Sequence, residues 1–217
     1  MMTNLFSVFD PCTGISSLNW LSTLIFMFMF PSKFWLLQNN YSMGFKKLMM
    51  IFHLELLSLM KYSGMSLIML SLFTLIMFIN LMGLLPYVFT SSSHLIFSLS
   101  IALPMWVAFM LFGWIKNTNY MFTHLVPNGT PSILMPFMVM IETVSNLIRP
   151  GSLAVRLTAN MIAGHLLMSL LGNNANNYIM MISFMLLFMM LMVFETAVAL
   201  IQSYVLMTLT NLYSSEV

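Results

Sequence analysis

The sequence predicts an all-α integral membrane protein, and three observations carry that prediction. First, 60% of the 217 residues are hydrophobic and only 6% are charged, where a soluble domain carries about 25% charged residues. Too little charge is present to cover a water-facing surface, and the mean hydropathy is positive at +0.96. Second, the apolar runs are long and lack the strict alternation that the roughly ten-residue strands of a membrane barrel require. Third, the lysines segregate to one side of a simple multi-pass arrangement, as the positive-inside rule demands. The net charge of +2 gives no reason to expect a nucleic-acid partner. The single cysteine, Cys12, has no partner for an internal disulfide. No Lys or Arg precedes Lys33, so neither a basic signal peptide nor an Arg-rich transit peptide is expected.

Each element follows from local pattern. Residues 18–37 are expected to form an N-terminal transmembrane helix, with Trp20 and Trp35 at interfacial positions and Pro31 kinking its end. Residues 41–62 read as an amphipathic helix lying in the membrane interface. At 100° per residue Lys46, Lys47, His53, Ser58 and Lys61 share one face, and Phe45, Leu48, Phe52, Leu56 and Leu59 share the other, with Glu55 between them. Residues 64–89 and 96–115 form a transmembrane hairpin, since about 20 apolar residues suffice to cross. Asn80 is the strongly polar residue of its first arm, and Pro104 is a tolerated kink in its second. The loop between them holds His94 and no formal charge. Residues 116–132 form a polar connection in which His124 reads as an ordinary loop residue, and Asn128-Gly129-Thr130 reads as a turn rather than a glycosylated sequon.

Two long helices, residues 132–171 and 178–213, follow on either side of the polar bridge Asn173–Asn177. The first would run roughly 60 Å if straight, against a hydrocarbon core of roughly 30 Å. It must tilt, bend at Pro150-Gly151, or both. Lys33, Lys46, Lys47, Lys61 and Lys116 then fall on one side, and the loops around residues 90–93 and 173–177 on the other carry no basic residue. The lysine side, with the C-terminus, is expected to face the matrix or cytoplasm.

The ionisable residues of the last two helices are the candidate site. Arg156 sits inside an apolar run, where a charge costs roughly 2.5–3.5 kcal/mol on insertion scales, so it marks function by default. Glu142 lies fourteen positions before it and His165 nine after, placing titratable groups on both sides of a permanently charged one. Glu142, Arg149, Arg156 and Asn160 share a broad face if Pro150 does not shift the phase, whereas His165 falls about 180° from Arg156. Glu195, Ala199 and Gln202 share a face on the final helix. Folding the two helices about Ala175 sets Arg156 level with Phe194 and Glu195, and leaves His165 and Glu195 roughly 15 Å out of register. Arg156 and Glu195 are then candidates for a buried salt bridge, the ordinary state of a buried charge. Arg149, beside Pro150, is expected to snorkel to the interface. No nucleotide-binding motif and no internal repeat occurs, so neither covalent chemistry nor a self-contained transporter is expected, and no cofactor.

Four blocks resemble the subunit a family of rotary F-type ATP synthases, in its mitochondrial form. They are Asn80-Leu-Met-Gly-Leu-Leu-Pro-Tyr87, Glu142-Thr-Val-Ser-x-Leu-Ile-x-Pro150, Arg156-Leu-Thr-Ala-Asn160-x-x-Ala-Gly164-His165 and Glu195-x-Ala-Val-Ala-x-Ile-Gln202-x-Tyr204-Val. Gly83 stands where some bacterial members carry an acid. The resemblance implies two steeply tilted helices along a rotor ring of small subunits, each with one mid-membrane carboxyl group. It assigns His165 and Glu195 to proton uptake from the intermembrane side, Glu142 to release toward the matrix, and Arg156 to the barrier between the two half-channels. Asn160, Gln202 and Asn80 become polar lining or helix-helix hydrogen-bonding groups. It further implies contact with the ring (the c-ring), the peripheral stalk and other membrane subunits, and residence in the mitochondrial inner membrane with the N-terminus toward the intermembrane space. Whether Glu195 pairs with Arg156 or relays protons past it stays open at this level.

Overall fold

The computed structural model describes residues 5–12, 16–31, 37, 39–59, 63–126, 131–174 and 178–216. Lys33, Trp35, Lys61, the Asn128–Thr130 sequence and residues 175–177 of the polar bridge lie outside them. The described secondary structure is helical: α1 (Phe26–Met29), α2 (Asn40–Leu59), α3 (Ser63–Gly83), α4 (Leu95–Lys116), α5 (Thr118–His124), α6 (Met135–Asn174) and α7 (Tyr178–Glu216), with 3-10 helices at Leu5–Phe9, Leu18–Leu24 and Ser91–Ser93. Among the described residues four helices, α3, α4, α6 and α7, are long and apolar enough to cross a membrane.

The first expected span differs. Residues 18–29 form a 3-10 helix followed by one short α turn, roughly 20 Å in all and too short for a roughly 30 Å core. The physical cause is Pro31: Phe30 before it is extended, with φ −68 and ψ 125, because the proline ring excludes helical geometry from the preceding residue. The segment packs on the α3–α4 loop through Ser22, whose hydroxyl donates to the Phe89 carbonyl at 3.1 Å.

The first arm of the hairpin also ends earlier than residue 89. After Gly83 the chain turns at Leu85–Val88, where the Val88 amide donates to the Leu85 carbonyl. Pro86 sits at the second position and Tyr87 at the third with φ 66, the pattern of a type II turn. In the 116–132 connection, where no helix was expected, α5 forms after the α4 C-cap Asn117.

Three buried apolar clusters fix the helix registers. Leu56, Met69, Phe73, Phe109 and Met207 join α2, α3, α4 and α7 at one end. Ile76, Ala102, Leu153, Ala154, Leu157 and Leu206 join α3, α4, α6 and α7 in the middle. Leu84, Met168 and Ala199 join α3, α6 and α7 at the other end. Helix α2 turns Phe45, Met49, Phe52 and Leu56 inward, with Phe52 5.1 Å from Phe73 between ring centroids. Leu48 and Leu59, expected on that face, are 54% and 52% exposed. The contacting stripe follows the 45, 49, 52, 56 spacing, which passes beside both. Helix α6 continues through Pro150, whose missing amide leaves the Asn146 carbonyl without its helical donor.

Ala154 is fully buried in the middle cluster, where α4 and α6 meet. Ala154→Leu is expected to overpack that contact by about 1–3 kcal/mol. A thermal melt of the purified protein should show a lower midpoint than Leu167→Met, an exposed exchange on the same helix.

Candidate functional site

The polar residues of the bundle lie in three tiers along α6, which the clusters place in register with α3 and α7. The middle tier holds Arg156. Leu153 and Leu157 of α6 pack with Leu206 of α7, and Arg156 lines a small pocket with Gln202, Val205 and Leu209. Ile76 packs with Leu206 and Leu84 with Ala199, so antiparallel α3 and α7 set Asn80 level with Gln202 and Ser203. Asn80 is 1% exposed, and neither its amide nitrogen nor its oxygen has a hydrogen-bond partner. Asn160, one turn along from Arg156, is half-buried.

Arg156 itself is exposed on the surface of the chain. Among the described residues it has no ion pair. A guanidinium cannot lose its proton in a protein, so in a membrane-spanning helix this charge needs an anionic or aqueous partner from outside the chain.

The second tier holds the titratable pair. Glu195 is 6% exposed and sits on Gly164: a Cβ built on that glycine would overlap the Glu195 carboxyl group. The Glu195 carboxyl group thus occupies the space a side chain at position 164 would fill, and a larger residue there would have to displace it. The neighbouring His165 is half-buried, with its ring 6.3 Å from that of Phe9. The backbone of Gly83 lies within hydrogen-bonding range of that ring, while Nε2 is buried without a partner.

The hairpin register therefore differs from the one expected. Folding about Ala175 set Arg156 beside Glu195; the structure sets Arg156 beside Gln202 and Gly164 beside Glu195. The shift is seven or eight residues on α7, roughly 11 Å. It brings His165 and Glu195 to one level and separates Glu195 from Arg156, so no buried salt bridge joins them. The apolar packing of Leu153 and Leu157 on Leu206 sets this register, while the helix ends at Asn174 and Tyr178 lie within three residues of those expected.

The third tier lies toward Lys116. Arg149 Nη2 is 3.7 Å from Glu142 Oε1, and its guanidinium lies 5.0 Å from the centroid of the Tyr213 ring. The two residues are i and i+7 on α6, both ahead of Pro150, and so share a face. Arg149 lines a cavity with Trp106, His124, Asn146 and Tyr213, where the Glu142 carboxylate and the Tyr213 ring face its guanidinium.

Sequence reasoning missed three participants. His124 lines this cavity. Glu55 of α2 accepts a hydrogen bond from the Tyr204 hydroxyl at 2.9 Å, tying α2 to the helix that carries Gln202. Thr90–Ser93 is buried rather than a surface loop, with His94 half-buried at its end. A run of four hydroxyl residues and a histidine after an apolar span was the available signal.

Gly164→Ala is expected to displace the Glu195 carboxyl group while leaving α6 intact, since alanine is the better helix former. If Glu195 relays protons, as the resemblance implies, proton flux in membranes carrying the protein should fall by up to about a hundredfold, the scale of a misplacement near 1 Å, at an unchanged protein level. Gly172→Ala, where an added Cβ meets nothing within 4 Å, should leave flux unchanged.

Known proteins resemble this chain along its whole length. A family profile described as ATP synthase A chain matches residues 16–215. The protein named ATP synthase subunit a from Drosophila melanogaster is 56% identical over 223 residues. Those of Anopheles gambiae and Aedes aegypti are each 55% identical over 225 residues. In all three the match covers 100% of both chains. Tiered ionisable groups on long apolar helices, the profile and the full-length identities agree: the chain belongs to the ATP synthase A chain family.

Proposed function

We propose that the protein is the proton-conducting stator subunit of a rotary ATP synthase, a multi-pass component of the mitochondrial inner membrane. Its proton route consists of two half-channels that meet a rotor ring but not each other. The observation that carries this role is Arg156, a permanent charge midway along α6, exposed and without an ion pair among the described residues. It suits an external carboxylate that comes and goes, supplied by the c-ring.

A proton enters on the lysine-poor, intermembrane side and reaches the His165–Glu195 tier. From there it neutralises a ring carboxylate, which can then turn into lipid without the cost of a bare charge. A carboxyl group arriving beside Arg156 is driven to release its proton, because the guanidinium favours the anion. The released proton leaves past Glu142, in the tier that also holds Arg149, toward the matrix with the C-terminus. Arg156 cannot relay a proton, so it divides the half-channels while letting carboxylates pass. Each proton crossing 100 mV supplies about 2.3 kcal/mol, which a direct leak would dissipate. Asn160, Gln202 and Asn80 line the region around the divider; the unpartnered amide of Asn80 supports water there, since a bare buried amide costs about 1–3 kcal/mol. The chain makes and breaks no covalent bond, and ATP chemistry belongs to other subunits. The peripheral stalk and neighbouring membrane subunits are its other partners, with α2 lying in the matrix-side interface.

ATP-driven proton pumping in membranes carrying Arg156→Ala tests this role. Coupled pumping should be lost, with or without a passive leak. Pumping at the unsubstituted rate would show that Arg156 is structural and that the role is wrong.

A further inference from the structure

Resting on the proton-uptake role proposed above, we propose that the buried loop Thr90–His94 is the outer leg of the uptake path, with His94 the group that passes protons inward toward His165. Loops ordinarily run over the surface, where water satisfies their backbone. This one does not: Thr90, Ser91, Ser92 and Ser93 are 1%, 2%, 0% and 5% exposed. Two of its hydroxyls satisfy each other, since Thr90 Oγ1 and Ser93 Oγ are 3.0 Å apart and Ser93 Oγ donates to the Thr90 carbonyl at 2.7 Å. Ser92 Oγ and His94 Nε2 are both buried with no partner.

The His94 ring is held by two aromatic neighbours, with centroids 5.2 Å from Trp20 and 5.3 Å from Phe89. Those faces orient the imidazole without consuming its nitrogens. The inner end of the loop meets the second tier. The methyl group of Thr90 abuts Gly83, at 3.3 Å from a Cβ built there, and the Gly83 backbone lies beside the His165 ring. The loop thus runs from the aromatic slot to the histidine of the second tier.

Three buried polar atoms, Ser92 Oγ, His94 Nε2 and His165 Nε2, lack partners in this connected stretch. Dry, each would carry the cost of a buried, unmade hydrogen bond, which is larger in a membrane. Water bridging them removes the penalty and supplies what proton transfer needs. Imidazole is the side chain that takes and gives a proton near neutral pH, and each transfer leaves the ring as it began once the proton has moved on.

The test uses the assembled, membrane-embedded ATP synthase carrying His94→Gln, which retains hydrogen bonding but cannot carry a proton. ATP synthesis driven by an imposed proton gradient should fall about tenfold, below the 10²–10⁴ of a full general acid–base group because water provides a bypass. Free imidazole added on the intermembrane side should restore at least half of the lost rate. An assembled His94→Gln complex working at the unsubstituted rate would overturn the proposal. So would a loss that imidazole does not restore. If His94→Gln fails to assemble, Ser92→Ala decides: a two- to threefold slower rate supports the path, and an unchanged rate refutes it. Arg156→Ala run in parallel separates the two claims. Retained coupling there removes the rotary role itself, whereas lost coupling with an unaffected His94→Gln removes only this path.

Discussion

An unpaired guanidinium in a membrane-spanning helix is the constraint around which the rest of the protein is arranged. Arg156 cannot neutralise itself, and among the described residues it meets no carboxylate. The chain surrounds it with amides, Gln202 in its own pocket and Asn80 at its level, which are polar but uncharged. An internal carboxylate would quench the charge and leave nothing for a partner to engage. Glu142 is instead committed to Arg149, and Glu195 is held a tier away.

That separation depends on packing as much as on charge. Buried Ala154 and Ala199 bring helices close, and Gly164 leaves room for one particular group, the Glu195 carboxyl. The apolar clusters set α7 against α3 and α6 so that Arg156 falls beside Gln202 and the His165–Glu195 pair near Gly83. The ionisable groups of the candidate site are thereby positioned by helices rather than by flexible loops, the condition under which a geometry holds to fractions of an ångström. Much of the outer face of α7, including Ile182, Met189, Val193 and Phe194, is exposed and apolar, fit for lipid or a neighbouring subunit.

Most of the helices were legible in the sequence because long apolar runs and lysine placement are composition-level signals that survive local irregularity. The candidate residues stand out in the sequence for a related reason: Arg156, Glu142, His165 and Glu195 are conspicuous in apolar surroundings. Pairing between helices was not. The expected register came from folding the chain symmetrically about Ala175, whereas apolar packing between α6 and α7 sets Glu195 a whole tier away. Nor could helical angle alone place Arg149 against Tyr213, a contact between two helices. The span at residues 18–37 failed in its described part at Pro31, a breaker already visible but read only as a kink. The Thr90–His94 run looked like a polar loop because burial is a tertiary property that no local pattern encodes.

The direct measure of the central claim is disulfide formation by Arg156→Cys in a Cys12→Ser background, within the assembled enzyme. One partner cysteine replaces the ring carboxyl residue; the alternative is Glu195→Cys in the same chain. A disulfide requires Cα atoms about 4.4–6.8 Å apart, and position 195 lies roughly 10 Å along α7 from the level of Arg156. A cross-link to the ring, with little or none to position 195, is the predicted result. Efficient cross-linking to position 195 and none to the ring would contradict it, because Arg156 would then face its own chain.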